Sequence, residues 1–338
     1  MTTRRWRRAD ERIRRVRYVI IGAGAVGGSL GASLMESGHN VVLVARGSHY
    51  EAIRDHGLRF ETPDSVKVLP IPVVSDPLDA AITADDVVLL AVKSQDTEGA
   101  LTSLVGSAPV ATPIVCLQNG VENERIALRR FAHVYSGMVI VPASYLSPGT
   151  VSVNSSPTLG ICDIGAYPSG SDEVTKDLAA ALVASSWSSE EVPDIMRVKF
   201  GKLLDNLSNA LQLALGLDHS GSDVGTIIRS EGVACLEAAG VDYASTAEMR
   251  ERRARSLMPG PIAGRARVGA STWQSVARGT GSVETDFLNG EIVLLGRMYG
   301  VATPANVLLQ VVSAEVATGR RESGSMSEEE FRDSLANY

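Results

Sequence analysis

The residues Gly22-Ala23-Gly24-Ala25-Val26-Gly27 have the spacing Gly-x-Gly-x-x-Gly. In such a loop Gly22 permits a tight turn and Gly24 lets backbone approach a pyrophosphate. Gly27 lets a helix pack closely on a strand, and the start of that helix offers free N–H donors to phosphates. The pattern is weak by itself. Here the apolar run Tyr18 to Ile21 precedes it, and Val26, Leu30 and Leu34 follow at helical spacing. This strand–turn–helix context favours a dinucleotide site. At the end of the next apolar run, Val41 to Ala45, an NAD site would place Asp or Glu on the ribose 2′-hydroxyl. The chain reads Arg46-Gly47-Ser48 instead, with no acid before Glu51. A guanidinium at Arg46, helped by Ser48, would attract a 2′-phosphate, which favours NADPH.

The basic residues number 32, of which 27 are arginine and five lysine, so a lysine at a chemically interesting place stands out. Lys93 follows the apolar run Val87 to Val92, where open α/β sheets place ligands. Gln118-Asn119-Gly120 holds the matching place after Ile114 to Leu117. Asn119 could hydrogen-bond cofactor or substrate there, and Asn-Gly is equally a turn dipeptide. Farther on, Lys202, Asn206 and Asn209 fall within about 60° of one another on a helix of 100° per residue. A solvated polar face is the commoner explanation of such a stripe; the rarity of lysine favours a site. Ser271-Thr272-Trp273-Gln274 and then Glu284 precede the last long helices. Glu284 alone would be read as a first-turn carboxylate favoured by the helix dipole.

The elements that must position these groups fall into two sets. Apolar runs at Tyr18 to Ile21, Val41 to Ala45, Asp86 to Val92 and Ile114 to Leu117 alternate with helical patterns, including Tyr50 to His56. That alternation implies a doubly wound parallel sheet of the Rossmann type. Val139 to Pro142, Val151 to Val153, Leu159 to Ile164 and Glu190 to Val192 read as further extended segments, with a helix over Asp172 to Ser185. Beyond Asp194 the texture is helical, with helices expected over Ile195 to Gly216, Asp223 to Gly240, Glu284 to Gly300 and Ala305 to Ala317. The expected organisation is an arginine-rich extension over 1–16, an NADP-binding Rossmann domain over 17–193 and a mostly α-helical domain over 194–338. The tail from Gly319 is polar and acidic and reads as a loosely held end.

Composition narrows the class. A chain of 338 residues with 44% hydrophobic and 21% charged residues is an ordinary globular sequence of about two domains. No apolar run reaches the roughly 18 residues that span a bilayer. Cys116, Cys162 and Cys235 lack paired spacing, against a disulfide framework or a zinc site. The net charge is −7, and eight arginines against Asp10 and Glu11 make residues 1–17 basic, leaving a more acidic remainder. An acidic body disfavours nucleic acid. Arg4-Arg5 lacks the apolar stretch of an export signal, so the expected location is cytoplasmic. Arg250, Arg252, Arg253, Arg255, Arg265 and Arg267 read as a solvated helix and loop.

Taken in order, these elements resemble the ketopantoate reductase family from about Arg17 to Leu309. The resemblance rests on the glycine loop, Arg46, Ala91-Val92-Lys93, Gln118-Asn119-Gly120 and Lys202-Leu203-x-x-Asn206. It continues through Ser271-x-x-Gln274, Glu284-x-Asp286-x-Leu288-Asn289-Gly290 and Gly300-Val301-x-Thr303-Pro304-x-Asn306. It implies reduction of a 2-oxo acid, chiefly 2-dehydropantoate, by NADPH in a cleft between a Rossmann and a helical domain. It further implies that Lys202 is the general acid and that Glu284 orients it or binds substrate. Asn206 and Ser271 would contact the substrate, and Asn119 and Lys93 would sit at the junction of cofactor and substrate. The sequence departs from the family where a second helix asparagine is usual: it has Ala210 and offers Asn209 instead. One extra residue stands between Gly279 and Glu284. Both departures lie around the substrate rather than the cofactor.

Other readings are a reductase of a different biosynthetic intermediate, a β-hydroxyacid dehydrogenase with a Gly-x-x-Lys-x-x-x-Asn helix, and an NADPH-binding regulator without turnover. Arg46 and Glu284 favour the first family over the β-hydroxyacid enzymes, and retention of Lys202 with Glu284 argues against a regulator. A histidine-based dehydrogenase is disfavoured, because His219 is the one histidine beyond residue 133. A homodimer is a candidate assembly; no nucleic acid or membrane partner is expected.

Overall fold

Each of the apolar runs around the glycine loop is buried from both sides. In β1 (Arg17–Ile21), Tyr18 and Ile20 pack into one hydrophobic cluster while Val19 and Ile21 pack into another. Successive side chains of a strand point to opposite faces, so a run without polar interruptions suits a sheet covered twice. The computed structural model describes residues 16–217, 223–264, 269–277, 279, 281 and 283–338, except for the side chains of Ser271 and Ala277. All but the last residue of the arginine-rich extension, together with His219, Arg265 and Arg267, lies outside these residues.

The remaining strands are β2 (Asn40–Val44), β3 (Leu58–Glu61), β4 (Val66–Leu69), β5 (Val73–Val74), β6 (Val87–Leu90), β7 (Ile114–Cys116), β8 (Val134–Ile140), β9 (Ala143–Ser147), β10 (Thr150–Val153) and β11 (Ile161–Ala166). Seven of them form a sheet in the order β11-β8-β7-β6-β1-β2-β5. All neighbours run parallel except β11, which is antiparallel to β8. The chain moves from β1 to β2 on one side and returns to β6 on the other. The carboxyl ends of β1 and β6 therefore flank a topological switch point, where such sheets bind ligands. Helices α1 (Ala25–Glu36), α2 (Gly47–His56), α3 (Thr97–Val105), α4 (Asn123–Leu128) and α5 (Glu173–Ala184) accompany this sheet. α5 starts at a reciprocal cap in which Asp172 accepts from the Thr175 N–H and Thr175 Oγ1 accepts from the Asp172 N–H.

The rest of the chain is helical: α6 (Ile195–Asn206), α7 (Leu211–Leu215), α8 (Asp223–Ala238), α9 (Thr246–Ala254), α10 (Ser271–Ala277), α11 (Asn289–Tyr299), α12 (Pro304–Ala317) and α13 (Glu328–Ser334). The chain divides into two compact units. One gathers Met1–Gln118, Glu122–Met196 and Glu251–Arg267; the other gathers Asn119–Val121, Arg197–Arg250 and Val268–Tyr338. No helix among the described residues is long and apolar enough to cross a membrane.

A Rossmann-type parallel sheet followed by helices is the architecture expected from the sequence, and several details differ. A second sheet, β4-β3-β10-β9, was not expected as such, although its β10 is the extended segment read at Val151 to Val153. Glu190 to Val192 forms no strand; single bridges join Ser188 to Ile161 and Glu191 to Ile164. The expected helix over Ile195 to Gly216 is interrupted by a 3₁₀ turn at Leu207–Ala210. The one over Glu284 to Gly300 is a 3₁₀ turn, Glu284–Phe287, followed by α11. The tail is not a loose end. Gly324 and Met326 donate backbone N–H groups to the Leu213 and Ala214 carbonyls, and Phe331 of α13 is fully buried.

Arg252 also departs from expectation. Instead of lying on a solvated face it is buried, its Nε and Nη2 donating to Asp163 at 3.0 and 2.6 Å. Its Nη1 donates to Ser188 and Ser256. Burying a guanidinium is tolerable because this set of acceptors replaces water around it.

Candidate active site

The glycine loop follows β1 directly. Gly22 has φ +99°, and a Cβ there would lie 2.9 Å from the Val92 backbone nitrogen, beyond the end of β6. Only glycine combines that conformation with so close an approach. At Gly27 a Cβ would collide with the Gly22 carbonyl at 2.0 Å. At Gly24 it would meet nothing within 4 Å, so the backbone there is open on that side. Gly24 is the N-cap of α1; no side chain caps the helix and no acidic residue stands in its first turn. The N–H groups of the first turn thus keep capacity for an anion. Open backbone over Gly24, close packing at Gly22 and Gly27, and an uncapped helix start are the features a pyrophosphate requires, so the loop fits a dinucleotide. Ala23, Ala25 and Val26 complete the turn and first residues of α1.

Arg46 is the N-cap of α2, immediately after β2, and Arg46, Gly47 and Ser48 are all exposed. The guanidinium stands at the end of the second strand, where the sequence placed it. Lys93 is half-buried and precedes the 3₁₀ turn Ser94–Asp96, just past β6. A buried chain of hydrogen bonds fixes this loop to the one after β7. Gln118 Nε2 donates to Thr97 Oγ1 (3.1 Å), Thr97 Oγ1 donates to Asn123 Oδ1 (2.7 Å), and Asn123 Nδ2 donates to Ser94 Oγ (3.3 Å). Sequence reasoning gave Thr97, Asn123 and Gln118 no role. Polar residues at helix starts look like ordinary caps, and nothing local shows that their partners lie 21 to 29 residues away.

In the second unit α6 presents Lys202 and Asn206 one turn apart. Lys202 Nζ donates to Asn119 Oδ1 at 2.8 Å, and Asn206 Nδ2 reaches the same oxygen at 3.4 Å. One carboxamide thus receives both groups of the stripe, from a residue three positions beyond the last residue of β7. Gly120, with φ +77°, lies against the 3₁₀ turn that begins at Glu284: a Cβ there would be 2.7 Å from the Phe287 carbonyl. Glu284 is buried at the start of that turn. Asn209 lies in the 3₁₀ turn after α6, half-buried; tighter winding, about 120° per residue, shifts it from the direction a continuous α-helix would give. Ser271 opens α10, and its side chain is outside those described. Lys199, given no role by the sequence, is buried in α6. Among the described residues no group of three or more His, Cys, Asp and Glu side chains is placed to hold a metal ion.

Two family models match in tandem: ketopantoate reductase PanE/ApbA over residues 18–169 and its C-terminal counterpart over residues 194–317. The chain belongs to the ketopantoate reductase family. Among curated members, the 2-dehydropantoate 2-reductase of Pyrococcus horikoshii is 26% identical over 321 residues, covering 90% of this chain and 99% of that one. The crystal structure of a PanE/ApbA family ketopantoate reductase from Ralstonia eutropha JMP134 superposes with a TM-score of 0.74 at 30% identity, covering 90% and 99% of the two chains. The ternary structure of D-mandelate dehydrogenase with NADH and anilino(oxo)acetate has a TM-score of 0.77 at 22% identity over 90% and 99%, a likeness of fold. The two matched segments contain the glycine loop, Arg46, Lys93 and Asn119 in the first and Lys202, Asn206, Ser271 and Glu284 in the second.

Proposed function

We propose that the chain reduces a 2-oxo acid to the 2-hydroxy acid, 2-dehydropantoate to pantoate first among them, using NADPH. The observation that carries this reading is the Lys202 ammonium held at 2.8 Å by Asn119, with Asn206 one helical turn on. Residues 17–193 bind the dinucleotide, and residues 194–338 supply Lys202, Asn206, Asn209, Ser271 and Glu284 to the substrate. A bound nicotinamide supplies the hydride. Lys202 does the complementary work: its ammonium stabilises negative charge on the former carbonyl oxygen and delivers the proton that completes the hydroxyl. Asn119 is an acceptor for that ammonium and fixes its position. The Glu284 carboxylate, on the turn beside Gly120, orients Lys202 or the substrate hydroxyl. Arg46 with Ser48 selects the 2′-phosphate, and Lys93 and Asn119 are each assigned to cofactor binding. Relatives named 2-dehydropantoate 2-reductase in Pyrococcus horikoshii and Archaeoglobus fulgidus support this substrate.

The experiment is NADPH oxidation by the purified chain against a panel of 2-oxo acids that includes ketopantoate. Turnover with ketopantoate above the others is expected. Turnover with none of them overturns the reductase reading, and preference for a different acid moves the substrate within the same chemistry.

A further inference from the structure

His49 belongs to α2, three residues beyond Arg46, and is buried at 6% exposure. Its Nδ1 accepts the Gly149 N–H at 2.9 Å. A ring nitrogen that accepts carries no proton, so in the neutral ring the proton is on Nε2. Nε2 therefore donates to the Ala23 carbonyl, 2.7 Å away. Ala23 is the second residue of the glycine loop. Gly149 lies in the turn between β9 and β10 with φ +75°, and a Cβ there would be 2.9 Å from the Ala52 Cβ of α2. The Gly149 carbonyl in turn accepts from the Arg59 N–H at 2.8 Å. The Tyr145 ring of β9 packs on the imidazole with centroids 4.3 Å apart. One side chain ties together the phosphate loop, the helix that starts at Arg46, and the β9–β10 turn.

The consequence for the ligand follows from peptide planarity. In a trans peptide the C=O of Ala23 and the N–H of Gly24 point in opposite directions within one rigid plane. Fixing the Ala23 carbonyl on His49 fixes the Gly24 N–H pointing away from it, at the residue whose backbone is open to a ligand. Resting on the dinucleotide reading above, we propose that His49 is a positioning residue for cofactor binding: its Nε2–H tautomer orients the Ala23–Gly24 peptide, and protonation of the ring releases it. On protonation Nδ1 becomes a donor facing the Gly149 N–H at 2.9 Å. The two donors repel and push the ring out of the position from which Nε2, still a donor, reaches the Ala23 carbonyl, a repulsion that a glutamine would not supply. From the elements packed against the ring, the facing groups are the Ala23 carbonyl, the Gly149 N–H and the Tyr145 ring. Burial pushes the His49 pKa down and the Ala23 carbonyl pushes it up; burial wins, and no charged side chain enters the balance. The tie therefore holds at neutral pH and is lost only below the ordinary histidine value of about 6.5.

Two variants separate the two bonds. A glutamine amide nitrogen reaches the place of Nε2, and an asparagine oxygen reaches the place of Nδ1. Binding of NADP⁺ is titrated calorimetrically on the full chain from pH 7.5 to pH 5. His49→Asn should weaken binding at pH 7.5 by about tenfold, equivalent to about 1.4 kcal/mol, while His49→Gln stays within about threefold of the wild type. The wild type should lose further affinity towards pH 5. His49→Gln should lose less, its remaining slope reporting titration of the ligand's own phosphate. Equal affinity of wild type and a folded His49→Asn, or identical pH slopes of wild type and His49→Gln, overturns the role. The ring nitrogens of the ligand-free wild type give an independent reading by NMR: an Nε2–H tautomer is expected, and Nδ1–H overturns the proposal even where the variants do not fold. A wild type that binds no dinucleotide at any pH overturns the functional reading itself, an outcome distinct from loss of the His49 role alone.

Discussion

The roles proposed for Lys202 and Arg46 are resolved by single substitutions. With Lys202 as the proposed proton donor, Lys202→Ala should lower kcat roughly 100-fold or more, with dinucleotide affinity unchanged. Single-turnover kinetics at saturating substrate check this, and a retained kcat removes Lys202 from that role. With Arg46 proposed to hold the 2′-phosphate by a charge-assisted contact, Arg46→Ala should lower affinity for NADPH by about tenfold or more. NADH, which lacks that phosphate, should bind within about twofold of before. Fluorescence titration with both dinucleotides decides it, and an unchanged ratio excludes Arg46. Both residues were legible in the sequence: Arg46 stands at the end of an apolar strand run, and Lys202 is one of five lysines and shares a helical stripe with Asn206. His49, Thr97 and Asn123 were not legible. Their partners are Ala23 and Gly149, or Ser94 and Gln118, and the distances along the chain carry no local signature.

At the scale of elements, paired charges fix the rim of the large sheet. Arg17 at the start of β1 donates through Nε and Nη2 to Asp86, which leads into β6, and the Thr83 N–H adds a further bond. Burial pushes the Asp86 carboxyl up, and the Arg17 and Thr83 hydrogen bonds outweigh it, holding its pKa below the ordinary value. A depressed carboxylate contributes its stability above the unfolded pKa of about 3.9 and loses it as pH falls through the lower folded value. Asp86→Asn should therefore cost about 2 kcal/mol at pH 7, and the difference should shrink as pH falls below the unfolded value and through the lower folded one; urea unfolding at a series of pH values measures it. Asp163→Ala strands Arg252 without its carboxylate and should cost about 3–5 kcal/mol, read as a lowered urea midpoint. The strands bordering the glycine loop were predictable because they are buried on both faces. β4 was not: Val66 and Val68 are exposed, so the strand has no buried face to impose a pattern. The breaks at Leu207 and Leu288 were equally silent, since neither site carries proline or a capping glycine.

For the whole molecule, the tail makes the test. Phe331 is fully buried, and Ser327 with Glu330 closes a capping box that starts α13. Phe331→Ala should destabilise by about 3–5 kcal/mol. Because the chain divides into two units, its unfolding need not be two-state. The loss is expected in one urea transition while a transition reporting the β-sheet stays in place; separate circular-dichroism and tryptophan signals follow them.

By itself the sequence determined what local pattern can encode. Unbroken apolar runs alternating with helical patterns gave the parallel sheet, and glycine spacing after a strand gave the loop proposed to hold the dinucleotide. The order of motifs gave the family, because each motif is read within a few residues. Tertiary structure alone decided that Asn119 receives Lys202 and Asn206, that Arg252 is buried on Asp163, that the tail is packed, and that His49 holds the Ala23 carbonyl. Each of these joins groups from about 25 to almost 90 residues apart or more in the chain. The energy that fixes them is desolvation of a polar group answered by a partner elsewhere, a quantity that exists only once the chain has folded.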